Sequence, residues 1–97
     1  MTLTVQWTAE AESSFAEIIT HLERNWSEKE ISRFIQKTNS VLKQIAEFPY
    51  MYEASQSRPG VRKGFITKQC ALFYEVKQDH IALLSFWDNR RKPRISN

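Results

Sequence analysis

From residue 9 onward, the spacing of apolar residues changes once along this 97-residue chain, and that change predicts the class of fold. Between residues 9 and 48, apolar side chains recur every three or four positions, as they do on amphipathic helices. From residue 61 to residue 87 they form short, dense runs that are typical of strands. Pro49 separates the two regions, because the residue before a proline is disfavoured in the helical conformation. Helices first and strands last predict an α+β domain.

Capping residues and periodicity predict the helix boundaries. Thr8 and Ser27 are typical N-cap residues, and Ser27 forms a capping box with Glu30. We therefore expect a first helix from Thr8 to about Asn25 and a second from Ser27 to Pro49. The apolar stripes that should face the core are Phe15, Ile18, Ile19, Leu22 and Trp26 in the first helix, and Ile31, Phe34, Ile35, Thr38, Val41, Leu42, Ile45 and Phe48 in the second.

Four strands complete the predicted domain. Leu3, Val5 and Trp7 alternate with polar residues, which is typical of a half-buried strand. The other strands are expected at Val61–Thr67, Cys70–Lys77 and His80–Trp87. Because the last strand is apolar on both faces, we expect it in the middle of the sheet and the first strand at an edge. The predicted fold is α+β, ordered β-α-α-β-β-β, with an N-terminal helical hairpin packed on a mostly antiparallel four-stranded sheet, in one domain over residues 1–97.

Composition excludes several classes of protein. With one cysteine, the chain can form neither a disulfide scaffold nor a cysteine-type zinc site, and neither His21 nor His80 has a second ligand at metal spacing. A domain of this size has little room for a deep cofactor pocket, so we expect no metal and no cofactor. The apolar runs are too short to span a bilayer, and the N-terminus has no signal-peptide pattern. We therefore expect a cytoplasmic protein without a membrane partner.

Charge is unevenly distributed along the chain. Residues 1–54 carry eight acidic and five basic side chains, a net charge of −3, and residues 55–97 carry three acidic and nine basic ones, a net charge of +6. A basic half favours a nucleic acid or an acidic protein segment as partner. If the strand with Arg62 and Lys63 lies near the end of the last strand, the bases converge and could hold a phosphate or stabilise an anionic transition state. Otherwise they are charges that protect a solvated sheet edge. The candidate binding residues are Arg58, Arg62, Lys63, Lys68, Arg90, Arg91, Lys92 and Arg94.

A few other side chains have two interpretations. Cys70 opens a strand that is expected in the core, which favours a buried, inert thiol over a nucleophile. Tyr74 is expected to be a half-buried packing residue. Tyr50 and Tyr52 either anchor the loop after the second helix or stack on a partner. Asp88 either pairs with the arginines that follow it or leaves them free for a ligand.

Six segments and the chain's ending carry a family resemblance. The segments are Val5-Gln6-Trp7-Thr8, Ala9-Glu10-Ala11, Ile45-x-x-Phe48-Pro49, Arg58-Pro59-Gly60-Val61-Arg62, Leu72-Phe73-Tyr74-Glu75-Val76 and Ile81 to Trp87. Together they resemble the RelE/ParE superfamily of bacterial type II toxins, over nearly the whole chain. The ending, Asp88 to Pro93, is similar to that of the ParE-type or plasmid-stabilisation branch.

The resemblance implies one of two activities. RelE-like members cleave mRNA on the ribosome with bases on the second and third strands, an arginine near the end of the last strand and often a C-terminal tyrosine. The residues here that match these positions are Arg62, Lys63, and Arg90 or Arg91. Ala71 stands where the third-strand arginine is expected, and no tyrosine follows Tyr74. ParE-like members bind DNA gyrase and trap it on cleaved DNA, without chemistry of their own.

We therefore expect a ParE-like toxin that inhibits growth by binding an essential target, DNA gyrase, with RelE-like cleavage of mRNA on the ribosome as the alternative. In the ParE-like case the chain is not an enzyme, and in the RelE-like case it is a metal-independent endoribonuclease. The resemblance also implies a cognate antitoxin, whose acidic amphipathic segment folds on binding the toxin. The basic half of this chain is suited to such a segment.

Overall fold

The computed structural model describes residues 2–89, and these residues form six elements in the predicted order. The elements are β1 (Thr4–Trp7), α1 (Ala9–Glu23), α2 (Glu28–Glu47), β2 (Val61–Phe65), β3 (Cys70–Val76) and β4 (His80–Asp88). The predicted α+β class and the β-α-α-β-β-β order are confirmed.

The four strands form one sheet in the order β1-β4-β3-β2. The two successive pairs β2–β3 and β3–β4 are antiparallel, whereas β1 runs parallel to β4. A parallel pair needs a long crossover, and the two helices lie in the chain segment after β1. As predicted, β1 lies at an edge and β4 in the middle of the sheet.

Both helices begin at the predicted caps. The Thr8 hydroxyl accepts a 3.1 Å hydrogen bond from the backbone N–H of Ala11. Ser27 and Glu30 form the capping box: Glu30 N donates to Ser27 Oγ at 3.2 Å, and Ser27 N donates to Glu30 Oε1 at 3.0 Å. Helix α2 ends at Glu47, and the backbone of Phe48 leaves the helical region at φ −128° and ψ 75°. The proline that follows explains that exit.

The N-cap of α1 also ties that helix to β4. Thr8 Oγ1 lies 2.9 Å from the carbonyl oxygen of Leu83 and 3.1 Å from that of Leu84. Six residues after Thr8, Ser14 Oγ accepts a 2.9 Å hydrogen bond from the backbone N–H of Phe86. The pairing of β3 with β4 is irregular in this region, next to Phe73. The pairing of β1 with β4 stops at Trp7 and Leu83, so the helix side chains bond to backbone groups of β4 at and beyond the end of that ladder.

The core lies between the helices and one face of the sheet. Its buried members include Ile18 and Leu22 of α1, Phe34, Leu42 and Ile45 of α2, and Leu72, Tyr74, Ile81, Leu83 and Phe86 of β3 and β4. Cys70 is completely buried, as predicted for an inert thiol. None of the helices within residues 2–89 has the length and apolarity needed to cross a membrane.

Three expectations about burial were wrong. Tyr74 is completely buried rather than half-buried. Phe48 and Ile35, which were assigned to the buried stripe of α2, are 61% and 37% exposed. Phe48 leaves the stripe because its backbone is no longer helical. Ile35 follows the buried Phe34 by one position, which is about 100° around the helix and places it on the flank of the buried face.

Candidate functional site

The predicted basic cluster is divided among different parts of the fold. Arg62 and Lys63 lie in β2, Arg58 lies in the loop before β2, and Lys68 lies in the turn between β2 and β3. Strand β3 separates β2 from β4, so the bases of β2 are not beside the end of the last strand. The other four predicted binding residues, Arg90, Arg91, Lys92 and Arg94, lie outside the described residues.

Arg62 and Lys63 face opposite sides of the sheet. Arg62 pairs with Tyr74, whose side chain is in the core, and Lys63 pairs with Phe73, on the other face. Successive residues of a strand alternate between the two faces, so the two bases point in opposite directions. In this arrangement the two charges diverge instead of converging on one phosphate.

Arg62 holds the loop that follows α2. Its Nη1 donates a 2.7 Å hydrogen bond to the carbonyl oxygen of Tyr52, and its guanidinium carbon lies 4.7 Å from the centre of the Tyr50 ring. Within residues 2–89, no carboxylate forms an ion pair with Arg62. Its charge is therefore balanced by a carbonyl dipole and a ring face, and it contributes to the position of the loop.

Tyr74 and Tyr52 fix the same loop at two further points. The Tyr74 hydroxyl donates a 2.7 Å hydrogen bond to the carbonyl oxygen of Pro49. Burial raises the pKa of Tyr74, an effect that the nearby Arg62 charge partly offsets, so the hydroxyl remains a neutral donor at physiological pH. Tyr52 donates a 3.3 Å hydrogen bond to the carbonyl oxygen of Phe65. We call Arg62, Tyr52 and Tyr74 the loop clamp.

Gly64 allows Tyr52 to lie against β2. A Cβ atom at Gly64 would be 2.9 Å from two carbons of the Tyr52 ring, closer than carbon atoms normally approach. A side chain at this position would push the ring away from the strand. Gly64 is therefore the residue of β2 that makes room for the clamp.

The loop clamp presents a short apolar segment to solvent. Phe48 is 61% exposed, Tyr50 67% and Met51 46%. We call residues 48–51 the apolar turn. Because the clamp fixes Pro49 inside this turn and Tyr52 directly after it, the exposed side chains project from a backbone that is held in place. The helical periodicity predicted Phe48 in the core, and Met51 was not predicted as a binding residue. Three large apolar residues around a helix-ending proline were the available signal.

One end of the sheet face opposite the helices carries three aromatic side chains. We call the face formed by Lys63, Phe65, Ala71, Phe73 and Trp87 the open face. Lys63 Nζ lies 5.4 Å from the centre of the Phe65 ring and 5.8 Å from that of Phe73. Ala71 pairs with Phe65 on one side and Trp87 on the other, and it is completely buried. This surface is suited to binding, since its rings offer contact area and its lysine offers one cation.

Two local pairs of titratable side chains lie elsewhere among the described residues. Lys77 and Glu75 form an ion pair at 3.2 Å. His80 Nδ1 lies 2.7 Å from Asp79 Oδ1, and this hydrogen bond lowers the pKa of the Asp79 carboxyl group. Within residues 2–89, no group of three or more His, Cys, Asp or Glu side chains could hold a metal ion.

A family profile matches most of this chain. The family described as the ParE toxin of the type II toxin-antitoxin system, parDE, matches residues 5–93. The chain belongs to the ParE toxin family. No curated protein matches its sequence at a significant level.

Solved structures place the ParE family chain among toxins of the same fold. A chromosomal ParDE toxin-antitoxin system from P. aeruginosa is 17% identical, with a TM-score of 0.76, over 90% of this chain and 96% of that one. The E. coli DinJ-YafQ toxin-antitoxin complex is 9% identical, with a TM-score of 0.64, over 93% and 96%. The YoeB dimer from Staphylococcus aureus is 19% identical, with a TM-score of 0.61, over 90% and 97%. At these identities the likeness establishes the fold alone.

Membership of the ParE family confirms the predicted RelE/ParE superfamily. This chain is therefore a toxin of a type II toxin-antitoxin system. The matched range includes the apolar turn, the loop clamp and the open face. It also includes Arg90, Arg91 and Lys92, whose predicted roles stay predictions.

Proposed function

We propose that this ParE family toxin arrests bacterial growth by binding DNA gyrase, without cleaving RNA, and that a cognate antitoxin neutralises it. The observation that carries the proposal is the divergence of the two bases on β2 together with the lack of a base on β3. Cleavage of RNA by RelE-like chemistry needs several basic groups around one phosphate, to activate the 2′-hydroxyl and to stabilise the crowded phosphate. Here Arg62 and Lys63 point to opposite faces, and Ala71 occupies the third-strand position.

The character of the exposed surfaces also supports binding. The open face carries aromatic rings around a buried alanine, and the apolar turn carries three exposed apolar side chains. Aromatic residues, methionine and arginine are enriched at protein–protein interfaces. Both surfaces therefore favour a protein as the partner.

An antitoxin partner is supported by the family description and by charge. The matched family is defined as the toxin of a toxin-antitoxin system, and the similar P. aeruginosa protein belongs to a ParDE toxin-antitoxin system. Residues 55–97 of this chain carry a net charge of +6. An acidic segment that folds on binding would complement that charge.

One observation favours the alternative, RelE-like cleavage of mRNA on the ribosome. Lys63 is exposed on the open face and has no carboxylate partner within residues 2–89. With Arg90 or Arg91 it would supply two of the required charges.

The test uses the purified chain in two assays, supercoiling by purified gyrase and cleavage of mRNA on programmed ribosomes. We expect loss of supercoiling with accumulation of cleaved DNA, and intact mRNA. Cut mRNA together with normal supercoiling would overturn the proposal. Lys63→Ala is the matched variant: it removes one contact of the open face, so the concentration that inhibits gyrase should rise by less than about tenfold, whereas a nuclease that relies on this lysine should lose orders of magnitude in cleavage.

A further inference from the structure

We propose that the apolar turn, residues 48–51, is the surface with which the toxin docks on its protein target, entering an apolar cleft whose rim carries a carboxylate. The proposal rests on the proposed function, since it names the surface that binds gyrase. It assigns a role to the loop after α2, and of the two interpretations of Tyr50 it favours contact with a partner.

The first argument is exposure. Phe48, Tyr50 and Met51 are at least 46% exposed, and all three fall within four consecutive residues. Single exposed apolar side chains are common on soluble proteins, but clustered ones mark interaction surfaces. A cleft in a partner protein would remove this apolar area from water, which provides the driving force for docking.

The second argument is rigidity. Tyr74 is completely buried, yet its hydroxyl is used to hold the carbonyl group of Pro49 in the middle of the turn. Arg62 holds the carbonyl group of Tyr52 at the end of the turn. A further backbone hydrogen bond joins Met51 N to the carbonyl oxygen of Phe48 at 3.1 Å. A surface that is already ordered loses little conformational entropy on binding, so more of its contact energy appears as affinity.

The third argument is charge. The Arg62 guanidinium covers one face of the Tyr50 ring, and no carboxylate within residues 2–89 neutralises it. A carboxylate on the rim of the partner's cleft would complement this half-buried cation. Tyrosine and arginine are also the residues most enriched among those that dominate binding energy.

Charge also argues against a second copy of this chain as the occupant. In a two-fold dimer the same patch faces itself, so the Arg62 of one copy would approach the Arg62 of the other. Like charges at a desolvated contact oppose association. A partner of opposite charge fits the apolar turn better.

The experiment compares Phe48→Ala and Tyr50→Ala with Ile35→Ala, a control that truncates an exposed apolar residue on α2. The readout is the concentration of toxin that inhibits half of the supercoiling by purified gyrase. We expect this concentration to rise about tenfold or more for the two turn variants and to stay within about threefold of the wild type for the control. All three positions are exposed, so the fold should persist, and circular dichroism checks this. Met51→Lys is a second variant that adds a charge to the turn without removing a core contact.

A variant that removes the charge of Arg62 distinguishes its electrostatic contribution to docking from its support of the loop. Arg62→Met keeps most of the stem and removes the charge. We expect its binding to immobilised gyrase to be weaker than that of the wild type and less sensitive to added salt, because screening acts on the charge that the variant lacks. Equal salt sensitivity in both proteins would overturn the predicted carboxylate.

The remaining outcomes distinguish failure of the proposed docking surface from failure of the proposed function. If the wild type inhibits gyrase and the turn variants inhibit it equally well, the docking surface is wrong and the proposed function stands. If the wild type does not inhibit gyrase, both fail. If the turn variants inhibit gyrase fully but escape neutralisation by the co-expressed antitoxin, the antitoxin occupies the turn and the proposal is overturned. Light scattering that shows a wild-type dimer and monomeric variants would overturn it in favour of a second copy.

Discussion

The buried hydroxyl of Tyr74 donates a 2.7 Å hydrogen bond to the backbone carbonyl of Pro49, 25 residues earlier in the chain. Pro49 ends helix α2, and Tyr74 lies in the middle of β3. The bond therefore connects the core of the sheet to the segment that carries the exposed apolar side chains. The same hydrogen bond therefore contributes both to the stability of the domain and to the conformation of its proposed docking surface.

Replacing Tyr74 with Phe should destabilise the domain by about 1–2 kcal/mol, because the carbonyl group of Pro49 loses its donor while the ring remains. The measurement is urea unfolding followed by circular dichroism. Tyr52→Phe is the control: its hydrogen bond is longer, 3.3 Å, and exposed, so its loss should cost less than about 1 kcal/mol. Equal costs for the two variants would contradict the special role of the Tyr74 hydroxyl.

The raised pKa of Tyr74 predicts a loss of stability in alkaline solution. In the unfolded chain this tyrosine releases its proton near its ordinary pKa of 10.0, whereas burial keeps it protonated to higher pH in the folded protein. Once the pH passes the pKa of the unfolded chain, the unfolded state binds fewer protons than the folded state. The free energy of unfolding therefore falls as pH rises further. Tyr74→Phe lacks this group. The stability difference between wild type and variant should therefore narrow from about pH 9 to about pH 11, and a constant difference would contradict the burial effect.

Gly64→Ala should destabilise the domain by about 1–3 kcal/mol, because the added methyl group would lie 2.9 Å from the Tyr52 ring. Thermal unfolding measures the effect. In a Tyr52→Ala background the ring is absent, so the same substitution should cost at least about 1 kcal/mol less. A cost that is independent of residue 52 would show that the methyl group meets another obstacle.

Thr8→Val should destabilise the domain more than Ser27→Ala, although each removes a helix N-cap. Ser27 serves only the exposed start of α2, and its loss should cost about 1 kcal/mol. Thr8 caps α1 and also reaches the carbonyl oxygens of Leu83 and Leu84, so its loss should cost about 2 kcal/mol. Guanidinium unfolding compares the two variants, and a larger cost at Ser27 would contradict the proposed contribution of the contact with β4.

The elements and their order were predictable because their signals are local. Ser27 and Glu30 form a capping box three residues apart, and Pro49 ends a helix through its effect on the residue before it. The same kind of signal identified the caps and the four strands. Family resemblance added the toxin class, since it depends on the order of such segments over the whole chain.

The tertiary structure decided the partners of individual side chains. Arg62 and Lys63 were predicted as neighbours in one basic cluster, but the pairing of β2 with β3 turns them to opposite faces. Tyr74 was predicted to be half-buried, but it is completely buried and its hydroxyl reaches the carbonyl group of Pro49, just after α2. Capping and periodicity act within a few residues, so the sequence by itself determined the helices and strands. Register and burial depend on how distant segments pack, and only the folded chain decides which side chains hold the loop and which remain exposed.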